Sequence, residues 1–115
     1  MSSKLYLLSL VLLACAPAAS AAETTGLAAV ESAHCMACHE VRRMRVGPPF
    51  EAISRRFAGQ RGAEEYLAHT IRSGGRGRWG AVPMPAQPQV TPEQAVVIAK
   101  WILSLSRAGS AADAQ

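Results

Sequence analysis

Two cysteines and a histidine in one short stretch carry the most recognisable chemistry of this sequence. The stretch is Cys35-Met36-Ala37-Cys38-His39, in which the cysteines are three residues apart and the histidine follows the second. On one helical turn the two sulfurs face the same side, where each can form a thioether with a haem vinyl group. The imidazole of His39 then lies under the porphyrin, aimed at the iron. Because this spacing is the attachment signature of c-type haem, the sequence predicts one covalently bound haem c.

A structural zinc site and a redox-active dithiol are the alternatives for the two cysteines. Zinc normally takes four protein ligands, often from a second paired cluster. The remaining candidates, Cys15, His34 and His69, contain no second pair. A Cys-x-x-Cys redox site is expected near a βαβ pattern, and no such pattern is visible here. The haem interpretation is therefore favoured over both alternatives.

A six-coordinate haem iron needs a second axial ligand on the face opposite His39. Met44 lies only five residues after that histidine, and it would need a strained path to cross the ring. Met84 lies 45 residues downstream, between Pro83 and Pro85, which restrict its backbone. Core filling is the ordinary role of a lone methionine, but we favour Met84 as the ligand because a rigid loop can hold its thioether on the iron. The remaining candidates, expected near the proximal side or at the surface, are Met36, His34 and His69.

Residues 1–22 have the pattern of an export signal peptide. Lys4 precedes an apolar run from Leu5 to Ala14, and a tract of small residues follows from Pro17 to Ala22. The run is too short to span a bilayer, and the small residues fit the preference of signal peptidase. We therefore expect the signal peptide to be cleaved.

Export agrees with the haem motif, because bacteria attach c-type haem outside the cytoplasm, and it predicts a periplasmic protein that is not inserted in the membrane. Residues 23–109 then form one haem-binding domain, and residues 110–115 form a flexible tail. In the alternative, Leu12 to Cys15 is a lipoprotein cleavage site, and Cys15 carries a lipid anchor.

The net charge of +4 is mild, which excludes a nucleic-acid surface, where basic residues cluster more densely.

The elements that must position these groups are predicted to be about four helices wrapped around one haem, which makes the fold class all-α. Leu27 to His34 is predicted as a first helix that runs into the motif. Residues 50–57 have apolar side chains at i, i+3 and i+7, and they are predicted as a second helix that Pro49 starts and Gly59 ends. Gly62 to Ser73 is predicted as the third, with acidic residues in its first turn.

The final helix has the clearest signals. Thr91 can cap it, Pro92 fits its first position, and Gln94 completes a capping box, while Gly109 is predicted to lie just beyond its end. Before this helix, residues 74–89 contain four glycines and three prolines, so no helix can persist there. A loop of this length in a compact domain is unusual unless it is functional. The predicted apolar face of the helix consists of Val97, Ile98, Trp101, Ile102 and Leu105.

Several short motifs accompany the haem signature. They are Val46-Gly47-Pro48, Phe57-Ala58-Gly59-Gln60, Trp79-Gly80, Pro83-Met84-Pro85 and Ala99-Lys100-Trp101. With the signature at 35–39 they resemble the short, single-haem bacterial class I cytochromes c, periplasmic electron carriers with His–Met ligation, over about residues 26–105. The resemblance implies that His39 and Met84 ligate the iron and that the Pro48 carbonyl accepts a hydrogen bond from His39 Nδ1. It also implies that the indole N–H of Trp79 meets a haem propionate.

Three positions depart from the pattern of this family. Many relatives have an arginine for a propionate where this chain has Thr70. Many have an asparagine that touches the ligand sulfur where this chain has Gln87, and Val30 stands where the first helix usually has an aromatic residue. The basic residues that can replace the missing arginine are Arg76, Arg78 and His69.

The resemblance implies a one-electron carrier rather than an enzyme, working as a monomer that contacts redox partner proteins transiently at the haem edge. The arginines at positions 42, 43, 45, 55 and 56 either steer acidic partners or form a solvated basic face. Two other functions stay open. One is a haem protein with an open or labile distal site that binds a gas or peroxide, and the other is an electron-entry subunit of a larger redox complex.

Overall fold

The structure, a computed structural model, describes residues 18–113, with side chains from residue 25 to residue 111. This part of the chain forms four helices, α1 (Ala18–Ser32), α2 (Phe50–Phe57), α3 (Ala63–Ser73) and α4 (Pro92–Asp113). A single turn of 3-10 helix, Cys35–Ala37, follows α1. Within the described range there is no strand, and the prediction of an all-α fold is confirmed. Cys15 and most of the predicted signal peptide lie outside the described residues.

Helix α4 is the centre of the packing, because it contacts each of the other three helices. Its side chain Trp101 is buried and meets the ring of Phe50 edge to face, with the ring centroids 5.3 Å apart. On the α1 side, a Cβ added to Gly26 would lie 2.3 Å from the Cβ of Trp101, so the small residue lets the two helices approach closely. Val30 on α1 is fully buried. It lies at the position where the resemblance implies an aromatic residue. The predicted residues of the α4 face that are buried are Ile98, Trp101 and Ile102.

The capping box at the start of α4 is present as predicted. The Gln94 amide donates to Thr91 Oγ1 at 3.2 Å, and the Thr91 amide donates to Gln94 Oε1 at 3.0 Å. Two backbone donors that the helix itself cannot pair are thereby satisfied. This fixes the point at which the chain leaves the long loop and enters α4.

Helix boundaries are where the sequence predictions are wrong. Helix α1 begins earlier than Leu27 and ends at Ser32, because His34 adopts a left-handed conformation with a φ of 59°. Pro49 is the residue before α2 rather than its first helical residue. Helix α4 continues through Gly109 to Asp113, into the segment predicted as a tail. Several alanines lie near Gly109, and their helix propensity outweighs the cost of about 1 kcal/mol for one glycine.

Candidate haem-binding cleft

One cleft collects all the residues that the sequence predicts to bind the haem or its iron. It encloses about 1130 Å³ of empty space, including the part that is open to solvent, and clefts of this order hold cofactors. Its walls come from α2, α3, α4 and the two irregular segments on either side of α2 and α3. The wall is mostly apolar, and none of its residues is an Asp or Glu. The predicted site residues that line it are Cys35, Cys38, His39, Pro48, Trp79 and Met84.

His39 is buried at the base of this cleft in one fixed orientation. Its Nδ1 lies 2.8 Å from the carbonyl oxygen of Pro48. Because a carbonyl can only accept, Nδ1 is the protonated nitrogen and Nε2 carries the free electron pair of the neutral ring. The ring also stacks on Phe50, with centroids 5.1 Å apart and an interplanar angle of 25°. The histidine is therefore oriented by a hydrogen bond and by packing, as histidine ligands of metals usually are.

Gly47 makes room for the His39 ring. A Cβ at this position would lie 2.5 Å from Cε1 of the imidazole and 2.9 Å from Nδ1. The amide of Gly47 donates to the carbonyl of Cys38 at 2.8 Å, which holds the loop against the motif. In the sequence Gly47 was identified only as part of the short motif Val46-Gly47-Pro48. The adjacent proline was its one local signal, and the close approach depends on a contact across eight residues that no periodicity reveals.

The two cysteines lie at the two ends of the 3-10 turn, Cys35 as its first residue and Cys38 directly after its last. Cys35 is half-buried and Cys38 is exposed. The amides of Cys38 and His39 both donate to the carbonyl of Cys35, at 3.2 and 3.0 Å, so one helical turn sets the spacing of the three side chains. Burial raises the pKa of the Cys35 thiol, which keeps this sulfur uncharged against the apolar wall. Within the described residues no group of three or more His, Cys, Asp or Glu side chains could hold a metal ion such as zinc.

Met84 reaches the cleft from the long loop between α3 and α4. Its backbone is clamped to Gly75 by two hydrogen bonds, from Met84 N to Gly75 O at 2.8 Å and from Gly75 N to Met84 O at 3.0 Å. Gly74 precedes this bridge with a φ of +78°, and a Cβ there would lie 2.7 Å from the Met84 carbonyl oxygen. The side chain of Met84 is half-buried and packs against the core. The thioether therefore projects from a backbone that α3 holds in place.

The other axial candidates occupy different surroundings. His34 is exposed and lies outside the cleft wall. His69 is also exposed, and its Nε2 lies 3.4 Å from Ser73 Oγ on the same helix. Met36 packs against the core from between the cysteines. Met44 lines the cleft but keeps 64% of its surface exposed, so Met84 is the more enclosed of the two methionines that line it.

Trp79 stands at the cleft beside a cation. The guanidinium carbon of Arg56 lies 4.6 Å from the centroid of the indole, which is within the range of cation–π attraction. Arg56 Nη1 also donates to the carbonyl oxygen of Arg78 at 2.7 Å. The last turn of α2 thus holds the loop that carries the tryptophan. The sequence analysis missed this function of Arg56, which it assigned to a surface cluster.

The departures from the family pattern have visible local consequences. Thr70, where the resemblance implies an arginine in many relatives, lines the cleft, and Arg76 and Arg78 line it as well, whereas His69 does not. Gln87 Nε2 donates to the Pro85 carbonyl oxygen at 3.1 Å, so this amide is engaged with its own loop.

Three of the five arginines that the sequence groups as a basic face are paired with glutamates. Glu51 lies 3.0 Å from Arg42 and 3.6 Å from Arg55, and Glu40 lies 3.7 Å from Arg43. Exposed pairs of this kind add little stability. They do lower the net charge of this surface, which weakens its attraction for an acidic partner.

The described helices include none that is both long enough and apolar enough to cross a bilayer.

A family model described as cytochrome c oxidase, cbb3-type, subunit III, matches residues 21–102. The chain is 46% identical over 71 residues to cytochrome c-552 of Hydrogenobacter thermophilus, which covers 62% of this chain and 71% of that protein. It is 44% identical over 80 residues to cytochrome c-551 of Stutzerimonas stutzeri, which covers 70% of this chain and 76% of the relative. The crystal structure of wild-type cytochrome c552 of Nitrosomonas europaea superposes with a TM-score of 0.68 and 37% identity, over 69% of this chain and 98% of that one.

Proposed function

Because the chain belongs to the cytochrome c family, among its short single-haem class I members, we propose that it is a one-electron carrier of the periplasm. The observation that carries this proposal is the meeting of Cys35, Cys38 and His39 with Met84 at one apolar cleft. These are two sulfurs for covalent attachment, one imidazole and one thioether. A wall without carboxylates and a glycine cradle for the histidine fit a large, mostly apolar cofactor.

Each residue has a separate task in this function. The Sγ atoms of Cys35 and Cys38 would bind the haem covalently, and Nε2 of His39 and Sδ of Met84 would hold its iron. When bound, the haem supplies an iron that alternates between Fe(II) and Fe(III) and so holds one electron. The Pro48 carbonyl, 2.8 Å from His39 Nδ1, keeps the imidazole in one tautomer and makes Nε2 a stronger donor.

The surroundings favour the reduced state. Thioether ligation raises the reduction potential in cytochromes c. Apolar residues such as Phe50 and Ile98 disfavour the additional positive charge of the ferric state, because a charge is poorly solvated among them. The fixed backbone of Met84 and the fixed ring of His39 keep both ligands in place in both states. This rigidity would limit rearrangement during transfer, and with both side chains held on the iron a substrate would find no site there, so we do not expect an enzyme.

The same interpretation extends to partners and location. Exported protein would lose residues 1–22 and collect in the periplasm as a monomer. Redox partners would contact it transiently near the exposed Cys38, with the small interfaces typical of electron-transfer encounters. Lipidation at Cys15 is the alternative that would keep the domain at a membrane surface.

The experiment that tests the ligand set replaces each cleft methionine in the purified holoprotein. We expect Met84→Ala to retain the attached haem but to change the ferric spectrum from low spin to high spin and to lower the midpoint potential. Met44→Ala is the matched control, because that side chain lines the cleft but is largely exposed, and its spectrum should not change. A Met84→Ala protein with a low-spin spectrum and an unaltered potential would contradict the assignment. A high-spin ferric spectrum in the unmutated protein would instead favour the gas- or peroxide-binding alternative.

A second candidate function has one observation in its favour. The matching family model is described as a subunit of an oxidase, which is consistent with an electron-entry subunit of a larger complex. Size-exclusion chromatography of a periplasmic extract distinguishes the two functions. A free carrier elutes at the size of one small domain, whereas a subunit elutes with its complex.

A further inference from the structure

The cleft contains an imbalance of charge that the ligand set does not explain. Two arginines, Arg76 and Arg78, line it together with apolar and aromatic residues, and no carboxylate lines it. A haem brings two carboxylates of its own in its propionate side chains. The cleft is therefore complementary to the cofactor in charge as well as in polarity, and the question is which arginine meets a carboxylate.

Arg78 is held in one orientation by three contacts to side chains of α2 and α3. Its Nε donates to the hydroxyl of Tyr66 at 2.9 Å. Its guanidinium carbon lies 4.8 Å from the centroid of the Tyr66 ring and 5.4 Å from that of Phe57. The two rings stack on each other with centroids 5.2 Å apart, so they form one continuous platform for the cation. Such a fixed guanidinium loses less side-chain entropy when it binds a carboxylate than a mobile one does.

The backbone of the same residue is also fixed. Arg56 donates to the Arg78 carbonyl oxygen at 2.7 Å and lies over the ring of Trp79. Within the described residues the two terminal nitrogens of Arg78 have no hydrogen bond or ion pair, whereas Nε is used by Tyr66. Two parallel N–H donors are thus free in a prepared fork, which is the arrangement that a carboxylate prefers. Arg76 has no such support, because no contact of its side chain holds it within the described part of the chain.

We propose that Arg78, held on the Phe57–Tyr66 platform, binds a propionate carboxylate of the haem. This proposal rests on the proposed function, since it requires the haem. Tyr66 is then a positioning residue, and Arg56 positions the loop segment that carries both Arg78 and Trp79. The sequence pattern left Arg76, Arg78 and His69 as equal candidates, and the platform distinguishes between them.

The experiment measures the midpoint potential of the purified holoprotein against pH. A nearby guanidinium stabilises the ionised carboxylate and lowers its pKa. The potential falls with pH across the window in which the propionate loses its proton, because the negative carboxylate favours the ferric state. Arg78→Gln should move this window to higher pH by about one unit or more, and Tyr66→Phe should move it less in the same direction. The charged or titratable side chains that face this corner are Tyr66 on α3, Arg56 on α2 and Arg76 on the loop.

Arg76→Gln is the matched control, because it removes the other cation of the cleft, and it should move the window less than Arg78→Gln does. Arg78→Lys retains the positive charge without the two parallel N–H donors, so we expect it to move the window less than Arg78→Gln does. An unmoved window in Arg78→Gln, or a larger shift in Arg76→Gln, would overturn the proposal. If Arg78→Gln does not yield holoprotein, unmoved windows in both Arg78→Lys and Tyr66→Phe overturn it as well. Failure of the proposed function is recognised separately, since the unmutated protein would then lack haem absorption or show a high-spin ferric spectrum before any titration.

Discussion

Gly47→Ala is the substitution for which the structure gives the sharpest expectation. Gly47 has no positive φ, so alanine can adopt its backbone conformation without strain. The added Cβ would nevertheless lie 2.5 Å from Cε1 of His39 and 2.9 Å from Nδ1. Real Cβ atoms do not approach other atoms so closely, and the imidazole must therefore move. The whole effect of this substitution then acts through one ring.

Two costs and one gain determine the size of the effect. Overpacking of a filled site costs about 1–3 kcal/mol. Movement of the ring breaks the 2.8 Å bond from His39 Nδ1 to the Pro48 carbonyl, and unpaired buried groups cost about 1–3 kcal/mol more. Alanine returns about 0.4–1 kcal/mol by restricting the unfolded chain. We expect a net loss of about 2–4 kcal/mol, which for a domain of this size lowers Tm by roughly 10–25 °C.

Thermal and urea unfolding of the holoprotein measure this loss, and the NMR signal of the His39 Nδ1 proton reports on its hydrogen bond. Gly59→Ala is the control, because its cost comes from the backbone and not from a steric clash. Gly59 has a φ of +71°, and an added Cβ would have no atom within 4 Å. It should cost about 1–2 kcal/mol through the backbone alone and leave the His39 signal unchanged. A Gly47→Ala protein within about 0.5 kcal/mol of the parent, a difference typical of neutral surface changes, would refute the argument.

Three further substitutions test the packing and the ends of α4. Ser54 is fully buried, and its Oγ accepts a hydrogen bond from the Ser106 amide at 2.9 Å. Ser54→Ala should therefore lower the free energy of unfolding by about 1 kcal/mol, measured as a lower urea midpoint with an unchanged slope. Thr91→Ala removes the cap on the Gln94 amide, and we expect a loss of about 1 kcal/mol together with faster hydrogen exchange at that amide. Gly109 lies inside α4 with nothing within 4 Å of an added Cβ, so Gly109→Ala should raise the free energy of unfolding by up to about 1 kcal/mol. A decrease in the thermal midpoint of this last variant would show that the helix does not continue through residue 109.

Local signals in the sequence were sufficient to predict where the helices lie, although not all of their ends. The capping box of Thr91 and Gln94 is a contact between residues three apart, and it forms as predicted. The repeat of Phe50, Ile53 and Phe57 likewise marks a buried face that the structure contains. The end of α4 was predicted incorrectly because one glycine was given more weight than the alanines around it. Such balances of propensity are the least reliable part of a prediction from sequence.

Contacts between distant segments could not be predicted in the same way. The platform under Arg78 joins α2, α3 and the following loop, and nothing in the spacing of Phe57, Tyr66 and Arg78 indicates that they meet. The pairing of Arg42 with Glu51 lowers the net positive charge of the arginine-rich surface, and it depends on the path of the loop before α2. The assignment of Met84 as a ligand stays a prediction, supported in the sequence by the two prolines that flank it and by the resemblance.

The backbone bridge between Gly75 and Met84 closes the intervening residues into a loop with its own base. Because both hydrogen bonds belong to the two bridging residues, side chains at the tip can be exchanged without loosening the methionine. Residues 76–82 can therefore be replaced as one segment in protein engineering. A library of replacements in this segment would change the side chains at that edge of the cleft, and every member would retain the Gly75–Met84 bridge.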